Sequence, residues 1–331
     1  MVERGGAGLE DRFFTELPGL LRGDELVVVN NTRVLPARLF GRRRGIRAEQ
    51  GARHTKDLLT AGIEVLLTRE VAPQVWEALV RPGRKMRVGE QVVFGNEELE
   101  AEVVERGELG LRRLRFSASG SVTEAIERVG HVPLPPYIGR ADDEADRADY
   151  QTIFARENGA VAAPTASLHF TEEVVAGLNA RGVEVCEITL HVGLGTFQPI
   201  HTEEIELHKI HREAYEISEA AAEQIARARD ASRPVLAVGT TVVRALEDAA
   251  QKRGQGKLPV RPGKAEAEIF IYPGHEFRIV DQLLTNFHLP QSSLLVLVAA
   301  FAGRERILQA YSHAIAHGYR FYSYGDCMLI R

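Results

Sequence analysis

The texture of the sequence changes along the chain, and this change constrains the fold more than any other feature. Residues 62–118 consist of short runs of alternating polarity punctuated by turn residues, which predicts a small barrel or sandwich. From residue 119 onward helical segments alternate with strands, which predicts an α/β layer with a largely parallel or mixed sheet. We therefore expect an α/β fold. A discontinuous α/β domain of residues 1–61 and 119–331, with a mixed sheet, would carry a small all-β barrel-like domain inserted at residues 62–118.

Composition excludes several other classes of protein. The chain has 331 residues and a formal net charge of −5, which suits a soluble globular protein of about two domains. The acidic balance argues against a wholly basic nucleic-acid binder but leaves room for a local basic patch. The longest apolar run, residues 294–302, is shorter than the roughly 20 residues of a membrane span. Cys186 and Cys327 provide no disulfide framework or paired zinc spacing. We expect a cytoplasmic protein with no membrane contact.

Histidine is concentrated in one stretch of the chain. Of the eleven histidines, those between residues 169 and 211 are His169, His191, His201, His208 and His211. The i, i+3 spacing of the last two would place both rings on one face of a helix. With Glu213 nearby, such a pair can serve as an acid–base pair or as metal ligands. The alternative is a polar helix face with two solvated imidazoles. Zinc is less favoured, because the spacing contains no Glu and no Cys pair is present.

Two polar motifs follow predicted strands. Asn30 and Arg33 belong to a run of short polar side chains that would contact a base or sugar, or would form an Asx turn. Gly193, Gly195 and Thr196 follow a later strand, where glycines allow a ligand to approach the backbone. A simple tight turn explains the second motif equally well.

A third motif lies between a strand and a helix. Thr240 and Thr241 supply hydroxyl and N–H groups at a helix N-terminus, which suits a carboxylate or phosphate. Arg244, one turn later, would add a charge-assisted hydrogen bond to the same anion. The alternative is a plain N-cap. Because neither a G-x-G-x-x-G nor a P-loop pattern is present, we reject a dinucleotide fold or a nucleotide P-loop.

Two polar–aromatic clusters and two basic clusters complete the candidates. Residues 286–290 and 322–326 would stack a nucleobase or a sulfonium cation, or would be packed tyrosines with satisfied hydroxyls. They contain Asn286, His288, Tyr324 and Asp326. The basic clusters would contact nucleic-acid phosphates, or would be solvated faces. Their candidate residues are Arg42, Arg43, Arg44, Arg84, Lys85 and Arg87. The first of the two clusters, residues 42–56, is predicted to be an exposed loop or linker.

Nine segments together, in this order and spacing, resemble one family. They are residues 29–39, 150–157, 162–171, 189–197, 208–211, 238–241, 269–274, 284–290 and 319–326. The family is that of the S-adenosylmethionine:tRNA ribosyltransferase-isomerases of queuosine biosynthesis, and the resemblance runs from about Asp11 to the C-terminus.

The resemblance implies an activity and a set of partners. The family transfers and isomerises the ribosyl moiety of S-adenosylmethionine onto the aminomethyl group of 7-aminomethyl-7-deazaguanine in the tRNA wobble position. The products are epoxyqueuosine tRNA, adenine and methionine. The resemblance also implies an α/β domain with an inserted β-barrel, no metal and no cofactor. We expect S-adenosylmethionine and this tRNA as partners, and a monomer.

The chemistry of this reaction suggests a role for each motif. A base must remove a C5′ proton acidified by the sulfonium, adenine must leave with a proton, and the acceptor amine must be neutral. We assign acid–base work to His169, His191, His208, His211, Glu213 and Asp326. We assign the methionine carboxylate to Thr240, Thr241 and Arg244, and the ribose to Gly193, Gly195 and Thr196. The modified base or sugar would contact Asn30, Arg33, Asn286 and His288, with Tyr324 also in the substrate site. The tRNA path would follow the six basic residues named above.

Departures from the family pattern keep two rival hypotheses open. The family usually has a further N-terminal segment, which we would expect before Met1, and residues 45–61 are a longer insertion than usual. Leu207 stands where an acidic residue usually precedes the first histidine of the H-x-x-H motif. A catalytically impaired relative that binds tRNA is therefore the first alternative. A metal-dependent hydrolase built on the histidines is the second.

Overall fold

The computed structural model of the protein describes residues 1–6, 8–46, 62–107, 110–193, 200, 204–208 and 210–331. The chain forms two compact units. The first, here the α/β unit, comprises Met1–Arg33, Gln151–Glu157 and Ala163–Arg331. The second, here the barrel unit, comprises Val34–Tyr150 and Asn158–Ala162.

Strands and helices alternate much as the texture of the sequence predicts. The strands of the described residues are β1 (Leu26–Asn30), β2 (Thr32–Val34), β3 (Arg38–Ile46), β4 (Gly62–Ala72), β5 (Val75–Arg81), β6 (Glu90–Phe94), β7 (Leu99–Arg106), β8 (Leu111–Ala118), β9 (Glu157–Ala160), β10 (Glu184–Leu190), β11 (Glu213–Ile217), β12 (Val235–Val238), β13 (Gly263–Ala267), β14 (Gln282–Asn286) and β15 (Cys327–Ile330). The helices are α1 (Leu17–Leu20), α2 (Val122–Val129), α3 (Asp146–Asp149), α4 (Glu172–Ala180), α5 (Glu219–Asp230), α6 (Thr240–Gln251), α7 (Ser293–Ala302) and α8 (Arg304–Ala316).

A seven-stranded mixed sheet is the centre of the α/β unit. Its strand order is β13-β11-β10-β1-β12-β14-β15. The four middle strands run parallel, and the outer strands pair antiparallel. β1 and β12 are buried along their whole length, which is expected for parallel strands covered on both faces. The carboxyl ends of β10, β1, β12 and β14 therefore meet at one edge of the sheet.

Side-chain caps begin two helices of this unit that flank the central sheet. Thr171 accepts a hydrogen bond from the Val174 N–H at the start of α4, and Ser218 does the same for the Ala221 N–H at the start of α5. These contacts satisfy backbone donors that have no partner within the helix. No helix of the described ranges combines the length and apolar character needed to cross a membrane.

The barrel unit contains a closed six-stranded antiparallel barrel in the order β3-β4-β5-β8-β7-β6. Alternate residues of β4, β5 and β7 are buried, so each strand turns one face to the barrel interior. The prediction of an α/β fold with a mixed sheet and an all-β barrel is confirmed.

The extent of the barrel differs from the sequence-based boundary at residue 62. β3, which we placed in an exposed basic loop at its C-terminal part, pairs with both β4 and β6 and closes the barrel. Leu39 and Gly41 of this strand are buried, while Phe40 and Arg42 face outward. The run of arginines that follows hid this alternation in the sequence. The compact unit accordingly extends from Val34 to Tyr150 rather than over 62–118 alone.

Gly41 in β3 leaves no room for a side chain, so we predict that Gly41→Ala destabilises the barrel. A Cβ there would lie 2.6 Å from both the Phe94 ring and the Val93 carbonyl oxygen. Overpacking of this kind costs about 1–3 kcal/mol, to be measured as the free energy of unfolding in urea. Gly62→Ala is the matched control on the neighbouring strand, since nothing lies within 4 Å of its Cβ position. Equal stabilities of the two variants would contradict this packing.

Candidate active site

The carboxyl edge of the parallel strands brings several predicted residues together. Asn30 ends β1, His191 follows β10, Thr240 follows β12 at the start of α6, and Asn286 ends β14. Ligands of open α/β sheets bind outside the carboxyl ends of the strands. This edge is therefore the candidate site, and it collects residues from four separate parts of the sequence.

Asn30 fastens two strand ends to each other. Its Nδ2 donates to the Leu190 carbonyl at 2.8 Å, and its Oδ1 accepts from the Leu190 N–H at 3.0 Å. The same oxygen accepts from the Thr32 N–H at 3.1 Å, and the residue is fully buried. These bonds engage both the oxygen and the nitrogen of the Asn30 amide within the protein, and the contact of Asn30 with base or sugar stays a prediction. Arg33, the middle residue of β2, is exposed.

His191 is held by a hydroxyl at this edge. Its Nδ1 lies 2.9 Å from the Thr32 Oγ1. Burial lowers the pKa of His191 below its ordinary value, although Glu157 and Glu216 oppose the shift. A neutral imidazole at neutral pH can accept a proton, so the acid–base role of His191 stays a prediction.

His169 has a defined ring orientation and tautomer. It ends a 3₁₀ helix, Thr165–His169, and its Nε2 lies 3.2 Å from the Asn286 Oδ1. The Asn286 Nδ2 donates to the Tyr322 and Ser323 carbonyls at 2.9 and 3.2 Å. The Asn286 Oδ1 is therefore the acceptor, the His169 Nε2 carries the proton, and its Nδ1 keeps a lone pair.

The surroundings of His169 favour the neutral ring. Its imidazole stacks on Phe14 with ring centroids 5.2 Å apart. Burial lowers the pKa of His169, and the hydrogen bond to Asn286 and the charge of Asp326 only partly offset this shift. A buried, oriented and neutral imidazole has the properties of a general base.

Glu213 and Arg244 form a buried ion pair. The Arg244 Nη1 contacts the Glu213 Oε2, and each side chain is at most 5% exposed. The Glu213 Oε1 accepts from the Gly193 N–H at 2.9 Å. The Arg244 Nη2 donates to the His211 and Ala267 carbonyls at 3.1 and 3.2 Å. Arg244 is thus held inside the protein by the Glu213 carboxylate and two carbonyl groups. The carboxylate contact of Arg244 and the acid–base role of Glu213 stay predictions.

The N-terminus of α6 keeps the features of an anion site. Gly239 precedes it with a φ of 92°, a conformation that favours glycine. Among the described residues, the buried Thr241 Oγ1 and Ser167 Oγ have no hydrogen-bond partner. The segment containing Ser167 is adjacent, because Ala166 lies 3.7 Å from the Cβ position of Gly239. Ser167 was missed by the sequence reasoning, which had no signal linking it to α6.

The prediction that the H-x-x-H motif lies on a helix is wrong. His208 follows a 3₁₀ helix, Ile205–Leu207, in extended backbone, and its ring packs edge-on against Phe270 at 5.1 Å. His211 is exposed. An i, i+3 spacing aligns two rings only when the backbone is helical, so a shared helix face does not form. Lys209 between them lies outside the described residues, as do Gly195 and Thr196 of the predicted ribose site.

The segment 322–326 forms a tight loop beside Asn286. Tyr322 has a φ of 75°, and a Cβ on Gly325 would lie 2.4 Å from the Phe321 carbonyl carbon. The Asp326 Oδ2 accepts from the Arg320 N–H at 2.7 Å and so closes the loop. Tyr324 is exposed. Asp326 therefore shapes this loop and acts on His169 through its charge.

His288 lies two residues beyond β14. Its ring Nε2 is 2.7 Å from the Thr285 Oγ1, and its backbone N–H donates to the Tyr311 Oη at 2.6 Å. Burial lowers the pKa of His288 to about 4. The ring is therefore neutral at neutral pH, and it contacts the Thr285 hydroxyl near the end of β14.

The basic clusters of the barrel unit separate into paired and unpaired cations. Arg43 forms a bidentate pair with the buried Glu90 at 2.9 Å. Arg44 contacts Glu97 and lies 3.0 Å from Glu100. The charges of Arg43 and Arg44, two of the predicted phosphate-binding residues, are thus neutralised by carboxylates of the barrel unit.

The remaining cations lie on the barrel surface. Arg84 and Lys85 end a 3₁₀ helix, Gly83–Lys85, and Arg87 follows it. All three are exposed, as is Arg42, and none has an ion pair within the described residues. The sequence reasoning missed Phe40, which is 53% exposed. It lines a groove of about 580 Å³ together with Glu64 and Arg81.

Comparison with known proteins agrees with the resemblance of the motifs. The model of the queuosine biosynthesis protein family matches residues 1–330. The chain belongs to this family. A S-adenosylmethionine:tRNA ribosyltransferase-isomerase of Solibacter usitatus is 52% identical over 100% of this chain and 92% of the relative. The enzyme of the same name from Sorangium cellulosum is 50% identical over 100% and 91%.

A solved structure extends the comparison to the fold. The crystal structure of a S-adenosylmethionine tRNA ribosyltransferase from Thermotoga maritima has a TM-score of 0.50 and 32% identity, covering 100% of this chain and 90% of that chain. The predicted family is confirmed, and with it an enzyme of the transferase and isomerase class in queuosine synthesis.

For this family member we predict that Arg244→Met lowers the free energy of unfolding by about 3–5 kcal/mol, because it leaves the Glu213 carboxylate buried without its partner. Urea unfolding measures this loss. Adding Glu213→Gln should recover part of the stability, since the double variant removes the unpaired charge. Full stability of Arg244→Met together with weaker S-adenosylmethionine binding would instead support the original carboxylate-binding role.

The lowered pKa of His288 predicts that the free energy of unfolding depends on pH. Its folded pKa of about 4 lies below its ordinary value of 6.5, so between these values the unfolded chain binds a proton that the folded chain does not. Stability is therefore complete above pH 6.5 and falls on acidification by up to about 1.4 kcal/mol per pH unit. Urea unfolding at several pH values should show a shallower fall in His288→Gln. Identical slopes in the two proteins would contradict the assignment.

Proposed function

We propose that the chain transfers and isomerises the ribosyl moiety of S-adenosylmethionine onto the aminomethyl group of 7-aminomethyl-7-deazaguanine in the tRNA wobble position. The products would be epoxyqueuosine tRNA, adenine and methionine. Membership of the family supports the general reaction. The observation that carries the proposal in this chain is His169, an oriented imidazole with an unprotonated Nδ1 at the carboxyl edge of the sheet.

His169 is the group best suited to remove a proton from C5′. The sulfonium of S-adenosylmethionine acidifies the C5′ protons, and a neutral imidazole near physiological pH is an effective base for such carbon acids. Asn286 fixes the tautomer that leaves Nδ1 unprotonated. His191, held by Thr32, is the second neutral imidazole at this edge and would serve proton transfer to the departing adenine or from the acceptor amine.

The methionine carboxylate would bind at the N-terminus of α6. Backbone N–H groups and the helix dipole favour an anion there. The Thr241 hydroxyl, buried without a partner among the described residues, would gain one in the carboxylate. Thr240 lies at the first position of the helix. This version of the predicted subsite excludes Arg244.

The other candidate residues would surround the substrate and assist proton transfer. Gly193, Gly195 and Thr196 would line the ribose, and Arg33, His288 and Tyr324 would contact the substrate. His208, His211 and Asp326 would support proton transfer. We also propose that the reaction needs no metal or cofactor, and that the protein acts as a monomer in the cytoplasm.

The tRNA backbone would contact the exposed cations of the barrel unit. Arg84, Lys85 and Arg87 carry positive charge that no acid neutralises within the described residues. Phosphates attract such cations, and binding releases condensed counterions.

We expect the purified protein to release adenine from S-adenosylmethionine only when tRNA carrying the aminomethyl-deazaguanine is present. His169→Asn should lower the rate by about 100-fold or more, as expected for loss of a general base. His131→Asn is the matched control, because His131 is a histidine paired with Asp142 in the barrel unit. Adenine release is measured by chromatography under saturating substrate.

Two outcomes would contradict this proposal. A wild-type protein that binds the tRNA but releases no adenine would be the catalytically impaired relative. If the rate of His169→Asn stayed within twofold of the wild-type rate, His169 would not be the base. The proposed overall activity would still stand.

Charge reversal at Arg84 and Lys85 should weaken tRNA binding and reduce its salt dependence. Each lost phosphate contact lowers the slope of log affinity against log salt by about one. Arg113→Ala is the control, because this barrel arginine is already held by Glu77 and Glu105. Binding isotherms over a range of salt concentrations measure both quantities. An unchanged slope in the Arg84→Glu/Lys85→Glu variant would show that the tRNA contacts another surface.

A further inference from the structure

We propose that Asp11, His313 and His317 form a binding site for a divalent transition-metal ion. None of these residues belongs to the candidate active site. Each offers one ligand atom, and the three atoms all lie within 4.8 Å of one another. Within the described residues this is the one group of three or more His, Cys, Asp or Glu side chains with such spacing.

The two histidines come from one face of α8 and its C-terminal cap. An i, i+4 spacing on a helix places two side chains above each other. Their rings are stacked with centroids 3.9 Å apart, so the two imidazoles already lie side by side. Asp11 approaches from the N-terminal part of the chain, and its Oδ1 lies 2.8 Å from the His313 Nε2.

The groups around these side chains resemble the outer shell of a metal site. The His317 Nδ1 lies 2.8 Å from the His313 carbonyl oxygen, and because that oxygen can only accept, the ring proton is on Nδ1. The Nε2 of His317 therefore carries the lone pair that a metal needs. The Tyr319 Oη donates to the Asp11 Oδ1 at 2.5 Å, which orients the carboxylate. Ligating histidines and carboxylates are commonly fixed by such bonds.

The ligand set selects the kind of ion. Two imidazoles and one carboxylate suit zinc, nickel, copper or cobalt, whereas magnesium prefers oxygen ligands alone. Ligand atoms around a tetrahedral zinc are about 3.4 Å apart, so small side-chain rotations would separate the His313–Asp11 contact and admit the ion. Asp11 and His317 are exposed, which leaves a path for entry.

Binding would stabilise the folded chain. Asp11 and His313 are 302 residues apart in sequence, and the unfolded chain does not hold the three ligands together. An ion bound only by the folded state raises the unfolding temperature, and the gain in stability grows with the logarithm of its concentration relative to Kd.

The test uses the untagged full-length protein and zinc chloride, with nickel and magnesium chloride in parallel. Calorimetric titration gives the affinity, and thermal unfolding gives the shift in Tm. Zinc and nickel should raise the Tm of the wild type and magnesium should not. His317→Ala should abolish the shift and weaken zinc binding by about tenfold or more, and Asp11→Asn should weaken it as well.

His131→Ala is the matched control, since it removes a histidine from another His–Asp pair that lacks a second histidine. It should bind zinc as the wild type does. Equal zinc affinity of the wild type and His317→Ala would overturn the proposal, as would the absence of saturable zinc binding below millimolar concentration. Adenine release does not enter either measurement, so this proposal and the proposed function can fail independently.

Discussion

The buried pair of Glu213 and Arg244 is the interaction on which the candidate site depends. Burying two charges carries a desolvation cost that a single contact does not repay. Here the cost is offset by further hydrogen bonds, because Glu213 also accepts from the Gly193 N–H and Arg244 also donates to the His211 and Ala267 carbonyls. One ion pair thus joins α6, β11, the end of β13 and the segment that leaves β10. Its energetic role is to set positions rather than to add net stability.

Side-chain amides perform a similar task at two strand ends. Asn30 satisfies the backbone of Leu190 beside it, and Asn286 holds the carbonyls of the loop at Tyr322 while presenting its oxygen to His169. Most buried polar groups in folded proteins are hydrogen-bonded, because an unpaired one costs free energy. Because the partners of these amides are backbone groups, the amides hold the edge rigidly, and a rigid edge preserves the tautomer of His169. If His169 is the base of the proposed reaction, this precise positioning would be a large part of its catalytic value.

Local features of the sequence were sufficient for most of the fold. The buried run of β1, the caps at Thr171 and Ser218, and the turns of the barrel each act over a few residues. Non-local pairing was not visible in this way. The arginines of β3 suggested a loop until its neighbours β4 and β6 were known. The motif at His208 gave a spacing but not a backbone conformation, and nothing near Arg244 in sequence indicated that Glu213 would occupy its guanidinium. The family resemblance located the motifs, whereas the roles depended on these partners.

Ion pairing also explains how an acidic chain can present a surface to a polyanion. The net charge of −5 is an average, and the field at a surface depends on which charges are neutralised nearby. In the barrel unit, Glu90 and Glu97 neutralise Arg43 and Arg44, so the first basic cluster contributes little field. The turn at Gly83–Lys85 has exposed cations without such partners among the described residues. Counting basic residues in the sequence weighted both clusters equally. The structure pairs Arg43 and Arg44 with acids, whereas Arg42 and the cations of the second cluster are exposed and have no ion pair within the described ranges.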